Sequence, residues 1–190
     1  MVIQTQWGVL LHSRRRQEVL HSLIQPLTAS QVAVRAKLSL DCAKGALRTL
    51  ARVNLARCLN ELARSSRVYG LTRAGVRWQS RVREFLSWPT VRYEEPPADW
   101  QLYGWVCFRH RWAVLRAMSE PSIAPLIRKR ARSHDAAIRI SVNNVRDVLR
   151  QFRKRNVAQV RSVGSRRVHE LTDIGQTLRQ LLLRAEGVAA

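Results

Sequence analysis

Residues 28–60, TASQVAVRAKLSLDCAKGALRTLARVNLARCLN, followed at 64–75 by RSSRVYGLTRAG, decide how the whole chain is read. Thr28 has the chemistry of a helix N-cap and predicts a helix through Ala36. A tight turn at Lys37 and Leu38 then leads to Ser39, which caps a second helix. In that helix Leu40, Ala43, Leu47 and Leu50 recur at i, i+3, i+7 and i+10, one face of a 3.6-residue period, and leave Lys44, Arg48 and Arg52 on the other. Asn54 belongs to the residue types that stop a helix in the left-handed region. Residues 55–62 read as a strand, Arg64 to Arg67 as a polar, basic tip, and 68–71 as a returning strand. Thr72 caps a last helix whose Trp78, Val82 and Phe85 share a face, and a short helical run at 17–24, ended by Pro26, precedes it all.

The same pattern returns further along the chain. At an offset of 102, Ser39, Leu40, Ala43, Leu47, Arg48, Leu50, Asn54, Leu55 and Ala56 fall on Ser141, Val142, Val145, Leu149, Arg150, Phe152, Asn156, Val157 and Ala158. Downstream the offset is 100, placing Leu71, Thr72 and Gly75 on Leu171, Thr172 and Gly175; upstream it is 95, placing Pro26 on Pro121. Such self-similarity predicts two equivalent modules, 1–86 and 105–190, with net charges of +11 and +12. Between them, 87–104 holds Pro89, Pro96, Pro97, Glu94, Glu95 and Asp99 and reads as a stiff acidic linker. Four of the six tryptophans, Trp88, Trp100, Trp105 and Trp112, lie in or beside that linker, a placement that suits packing of the modules better than base stacking.

The stretches quoted first resemble the winged helix-turn-helix domains of bacterial and archaeal regulators of the MarR and ArsR kind, over residues 12–86. The resemblance implies a mostly α fold with short β-hairpin wings, two winged helix-turn-helix modules in tandem, with 39–52 as a recognition helix and Arg64 to Arg67 as a wing tip. The second copy departs from the pattern at SEPSIAPLIRKRARSHDAAIRIS, where Pro125 is expected to interrupt its second helix early.

Charge points the same way. The 190 residues carry 34 basic and 13 acidic side chains, a net charge of +21, and 30 of the bases are arginine, whose planar fork suits phosphate oxygens and guanine edges. Double-stranded DNA is therefore the expected partner, bound by a monomer or homodimer. Lys44, Arg48 and Arg52 in one copy, and Asn143, Asn144, Arg146 and Arg150 in the other, have the side chains that read base edges from a helix. Arg64 and Arg67, with Arg166 and Arg167, would reach phosphates or the minor groove, and the cluster Arg128, Lys129, Arg130, Arg132 would bind phosphate.

Other classes find little support. The histidines, His12, His21, His110, His134 and His169, show no metal-pair spacing, and Cys42, Cys58 and Cys107 form no CxxC. No glycine-rich phosphate loop, nucleophile elbow or carboxylate cluster is present, so neither enzyme activity nor a metal or cofactor is expected. The odd cysteine count and the lack of a long apolar run suit a cytoplasmic, nucleoid-associated protein outside the membrane. The expected role is transcriptional regulation. Alternatives are a plasmid, viral or chromosomal replication, partition or DNA-organising factor, a protein-interaction scaffold, and an RNA-binding protein.

Overall fold

Asparagine, threonine and glycine at fixed places in the sequence turn the chain in the same way twice, within a mostly helical protein that carries small antiparallel sheets. A computed structural model describes residues 8, 10, 12–108, 110–164 and 166–187. Trp7, Val9, Leu11 and Ser165, together with the side chain of Arg166, lie outside the described residues. The chain divides into two compact units, Met1–Trp105 and Val106–Ala190.

Unit 1 runs α1 (Arg14–Ser22), β1 (Leu27–Thr28), α2 (Ala29–Arg35), α3 (Leu40–Arg52), β2 (Ala56–Cys58), β3 (Val68–Leu71), α4 (Arg73–Phe85) and α5 (Trp100–Val106). The Thr28 hydroxyl accepts the Gln31 amide while the Gln31 side chain accepts from the Thr28 amide, a reciprocal cap that starts α2. Ser39 starts α3 by accepting the Cys42 amide. The strands form one sheet in the order β1-β3-β2, with Leu27 opposite Tyr69 and Ala56 opposite Leu71. Val19, Leu20, Leu27, Val32, Leu47, Leu50 and Leu55 are fully buried and make the core.

Unit 2 repeats the order with α6 (His110–Ala117), α7 (Ala124–His134), α8 (Val142–Lys154), β4 (Ala158–Val163), β5 (Arg166–Leu171) and α9 (Asp173–Glu186). Its core holds Val114, Leu115, Ile127, Val145, Phe152, Val157 and Leu182. In place of β1 a single bridge joins Ser122 to His169. These are the positions of Leu27 and Tyr69 shifted by 95 and 100, so the repeat seen in the sequence is a repeat of hydrogen bonding.

The junction between hairpin and last helix shows the equivalence in detail. Asn54 and Asn156 both adopt positive φ, 56° and 54°. Thr72 Oγ1 donates to the Asn54 carbonyl at 2.7 Å, and Thr172 Oγ1 to the Asn156 carbonyl at 2.6 Å. The Thr72 amide bonds the Leu55 carbonyl and the Thr172 amide that of Val157. A Cβ on Gly75 would lie 1.9 Å from the Leu55 oxygen, and one on Gly175 2.0 Å from that of Val157, so only glycine fits there.

Four expectations change. The strand expected over 55–62 ends at Cys58, because the buried Asn60 side chain takes over the chain: its Oδ1 accepts the Val68 amide at 2.7 Å and its Nδ2 donates to the Ser66 carbonyl. Phe85 is not on the buried face of α4 but 64% exposed. Pro125 does not interrupt a helix; it sits in the first turn of α7, where its missing amide hydrogen costs nothing.

The fourth concerns 87–104, which packs on unit 1 instead of running as a linker. Arg83 reaches from α4 to the Val91 carbonyl and bonds His21 Nδ1 at 3.0 Å. The Glu94 amide bonds the Ile24 carbonyl, and Tyr93 Oη accepts the Leu71 amide and donates to Glu95, which pairs with Arg57. Asp99 accepts the Leu102 amide at the start of α5, whose Tyr103 is fully buried and bonds Gln31. Gly104 lets that helix approach the hairpin loop, since a Cβ there would lie 2.3 Å from Asn60 Nδ2. Of the expected tryptophans, Trp88 meets the His21 ring at a 56° tilt beneath Arg14 and Trp100 meets Tyr103 edge-on.

Candidate nucleic-acid interface

Helices α3 and α8 each bury one face and present the other to solvent. Ala43, Leu47 and Leu50 on α3, and Val145, Val148, Leu149 and Phe152 on α8, are buried. On the opposite side Arg48 and Arg52 are exposed and make no ion pair among the described residues, and Lys44 reaches Asp41 at 3.5 Å. Residues four apart on a helix rise about 6 Å and turn about 40° round its axis, so these three bases form a slanting stripe.

The offset of 102 carries that stripe onto Arg146, Arg150 and Lys154, all exposed on α8. Lys154 was not among the expected site residues, although applying the repeat to Arg52 finds it. The residues that start the two helices are placed alike as well: Asp41 and Lys44 correspond to Asn143 and Arg146, where Arg146 Nη1 donates to Asn143 Oδ1 at 3.2 Å. Arg150 pairs with Asp147 at 3.1 Å, with both side chains largely exposed. In water such a pair is weak and exchanges readily for a phosphate.

Asn144 differs from its neighbours. Its Oδ1 accepts the Ser141 amide and hydroxyl, completing the reciprocal cap of α8, so its carboxamide oxygen serves the fold. Part of the α7 cluster is engaged likewise. Arg128 Nε donates to the Ile140 carbonyl, and Arg130 bonds Ser122 Oγ and Glu120, whereas Lys129 and Arg132 stay exposed.

The two hairpins are built differently. In unit 1 the loop 59–67 is short of strand pairing and is held from inside by Asn60; Arg64 and Arg67 are exposed at its tip, Arg67 Nε donating to the Ala63 carbonyl. In unit 2, β4 and β5 pair over six residues each, from Ala158 opposite Leu171 to Val163 opposite Arg166, and Gly164 turns at φ 58°. Arg167 is exposed on it, and Arg161 leans toward Glu170 at 3.7 Å.

Among the titrating groups, burial and then the charges of Arg83 and Arg35 hold His21 below the usual imidazole range, while burial and Arg153 do the same for His169. Both rings are therefore neutral parts of the core edge. Tyr93 is pushed upward by burial and by its bond to Glu95. Among the described residues no helix is long and apolar enough to cross a membrane. Comparison of the chain with known protein families, with curated proteins and with solved structures finds no match.

Proposed function

We propose that this is a sequence-specific double-stranded DNA-binding protein made of two tandem winged helix-turn-helix modules, a transcriptional regulator rather than an enzyme. The observation that carries the reading is the twofold recurrence of one order, helix, short pairing segment, helix, helix, hairpin and helix, with an unburied basic stripe on the third helix each time. On a chain of net charge +21 those stripes have one abundant complement, the phosphate polymer.

In this reading α3 and α8 enter successive stretches of major groove with their N-terminal turns at the base edges. Asn143 and Arg146 have donors and acceptors for adenine and guanine; Asp41 can accept from cytosine while Lys44 donates. Arg48, Arg52, Arg150 and Lys154, one and two turns further on, lie where a groove-bound helix meets the backbone. The hairpins bring Arg64 and Arg67, or Arg161 and Arg167, to flanking phosphates or a narrow minor groove. Carrying both modules on one chain raises the effective concentration of the second once the first is bound.

Selection of bound duplexes from a random pool, followed by footprinting, tests this. The expected result is a motif of two unlike halves, because the base-reading positions differ between the copies. Enrichment of no motif contradicts sequence-specific regulation.

A further inference from the structure

Helix α4 carries a third basic stripe for which neither copy of the repeat has a use. We infer that Arg73, Arg77 and Arg81 form a second polyanion surface on unit 1, which holds the phosphate backbone of a nucleic-acid segment other than the one α3 faces. The inference rests on the DNA-binding reading above and extends it from one bound segment to two.

The three arginines follow one another at i, i+4 and i+8, the spacing of Lys44, Arg48 and Arg52 on α3. They are exposed and make no ion pair among the described residues. They share this with Arg48 and Arg52 of the α3 stripe, whereas Arg14 pairs with Glu18, Arg57 with Glu95, and Arg83 is buried against His21. Arg81 is further steadied over the Trp78 ring at 5.1 Å.

The stripe works against its own helix. Arg73 occupies the first helical position, where the partial positive charge of the helix end disfavours a cation, and each arginine faces a like charge one turn away. Unit 2 shows that the fold needs none of this: the offset of 100 places Asp173, Thr177 and the buried Leu181 at the same positions of α9. A feature that costs helix stability, is absent from the equivalent helix and has no carboxylate partner among the described residues suits an external one.

The spacing suggests which. From Arg73 to Arg81 is about 12 Å along the helix, and a nucleic-acid strand advances about 3.4 Å per phosphate, so three guanidinium forks meet three or four phosphates. The two helices do not pack along each other: α3 packs on α1 and α2 alike, α4 chiefly on α1, and they approach each other at the junction where Thr72 bonds Asn54.

The test uses the full chain and its triple variant R73Q/R77Q/R81Q, with circular dichroism to confirm equal helix content. Protein bound to a tethered duplex of about 30 base pairs is offered a second, labelled duplex. The variant is expected to hold the first duplex within about threefold of the parent and to capture the second at least about tenfold less well. Equal capture by both proteins overturns the inference, and so does an equal loss in both steps, which would put the stripe on the first duplex. A parent that binds one duplex but never a second overturns the inference and leaves the proposed function standing. A parent that binds no duplex, yet binds poly-glutamate that the variant does not, overturns both and assigns the stripe to an acidic protein.

Discussion

The first turns of α3 and α8 have the same backbone and different chemistry. Both start from a serine cap, and both place a base three residues after a polar group that it touches. In α3 that group is the carboxylate of Asp41; in α8 it is the carboxamide of Asn143. The negative charge suits the helix end but repels phosphate, so in the proposed function Asp41 would restrain non-specific binding where Asn143 would not. The copies share a scaffold held by buried and capping groups, while their exposed faces have diverged in chemistry.

A second contrast lies in how the hairpins are supported. Unit 1 holds its short loop through Asn60 and Gly104 and the end of β3 through Tyr93, whereas unit 2 has a longer paired hairpin. The largest expected effect follows from this. A fragment of residues 1–105 should fold, and one of 1–86, lacking Tyr93 and the buried Tyr103, should lose most of its cooperative unfolding transition. Circular dichroism on heating compares the two. Equal transitions would return 87–104 to the status of a linker.

Next in size, Gly75→Ala and Gly175→Ala should each destabilise their own unit by about 3 kcal/mol or more, because the new methyl group meets a backbone oxygen that cannot retreat. Hydrogen exchange in the full chain reads each unit separately. Tolerance of one change and not the other would break the structural equivalence of the copies.

Asn143→Ala and Asn144→Ala sharpen the contrast between reading and capping. The first should relax sequence preference in one half-site at a cost of about 1–3 kcal/mol of binding while leaving stability unchanged. The second should remove about 0.5–2 kcal/mol of stability through the lost cap, with little change in preference. Affinity for a selected site and for its single-base variants, alongside denaturant unfolding, separates them.

The smallest effect concerns pH. Because burial and Arg153 hold His169 low, the unfolded chain takes up a proton before the folded one does. Unit 2 therefore keeps its full stability above about pH 6.5 and loses some as the pH falls below that. His169→Tyr, which installs the residue found at the matching position of unit 1, should flatten that loss in part, His134 being held low as well. An unchanged pH profile would remove His169 from the account.

Much of this was legible in the sequence, for a physical reason. The Thr28 and Ser39 caps, Asn54, Thr72 and Gly75 each act on backbone within a few residues or across one tight junction, so their identities and spacing announce the elements, and the repeat confirms them. The segment 87–104 was misread because its role depends on distant partners: Tyr93 finds the Leu71 amide, and Gly104 matters only beside Asn60. Its one local signal was Asp99, a capping residue two positions after Pro97. For the site, the outward positions of α3 and α8 followed from helical period, but sequence does not tell an exposed arginine from one that serves the fold. Arg128 and Arg130 look like Lys129 and Arg132 until the Ile140 carbonyl and Ser122 are seen beside the first two.

The central claim is that both stripes hold duplex DNA at once. Measuring affinity against salt for the full chain, for K44Q/R48Q/R52Q and for R146Q/R150Q/K154Q tests it most directly. The account predicts a log–log slope on the order of 6 to 10 in magnitude for the parent, lowered by about 1 to 3 in each variant, since each phosphate contact contributes about 0.9. A parental slope near zero, or a slope that one of the two variants leaves untouched, would contradict it.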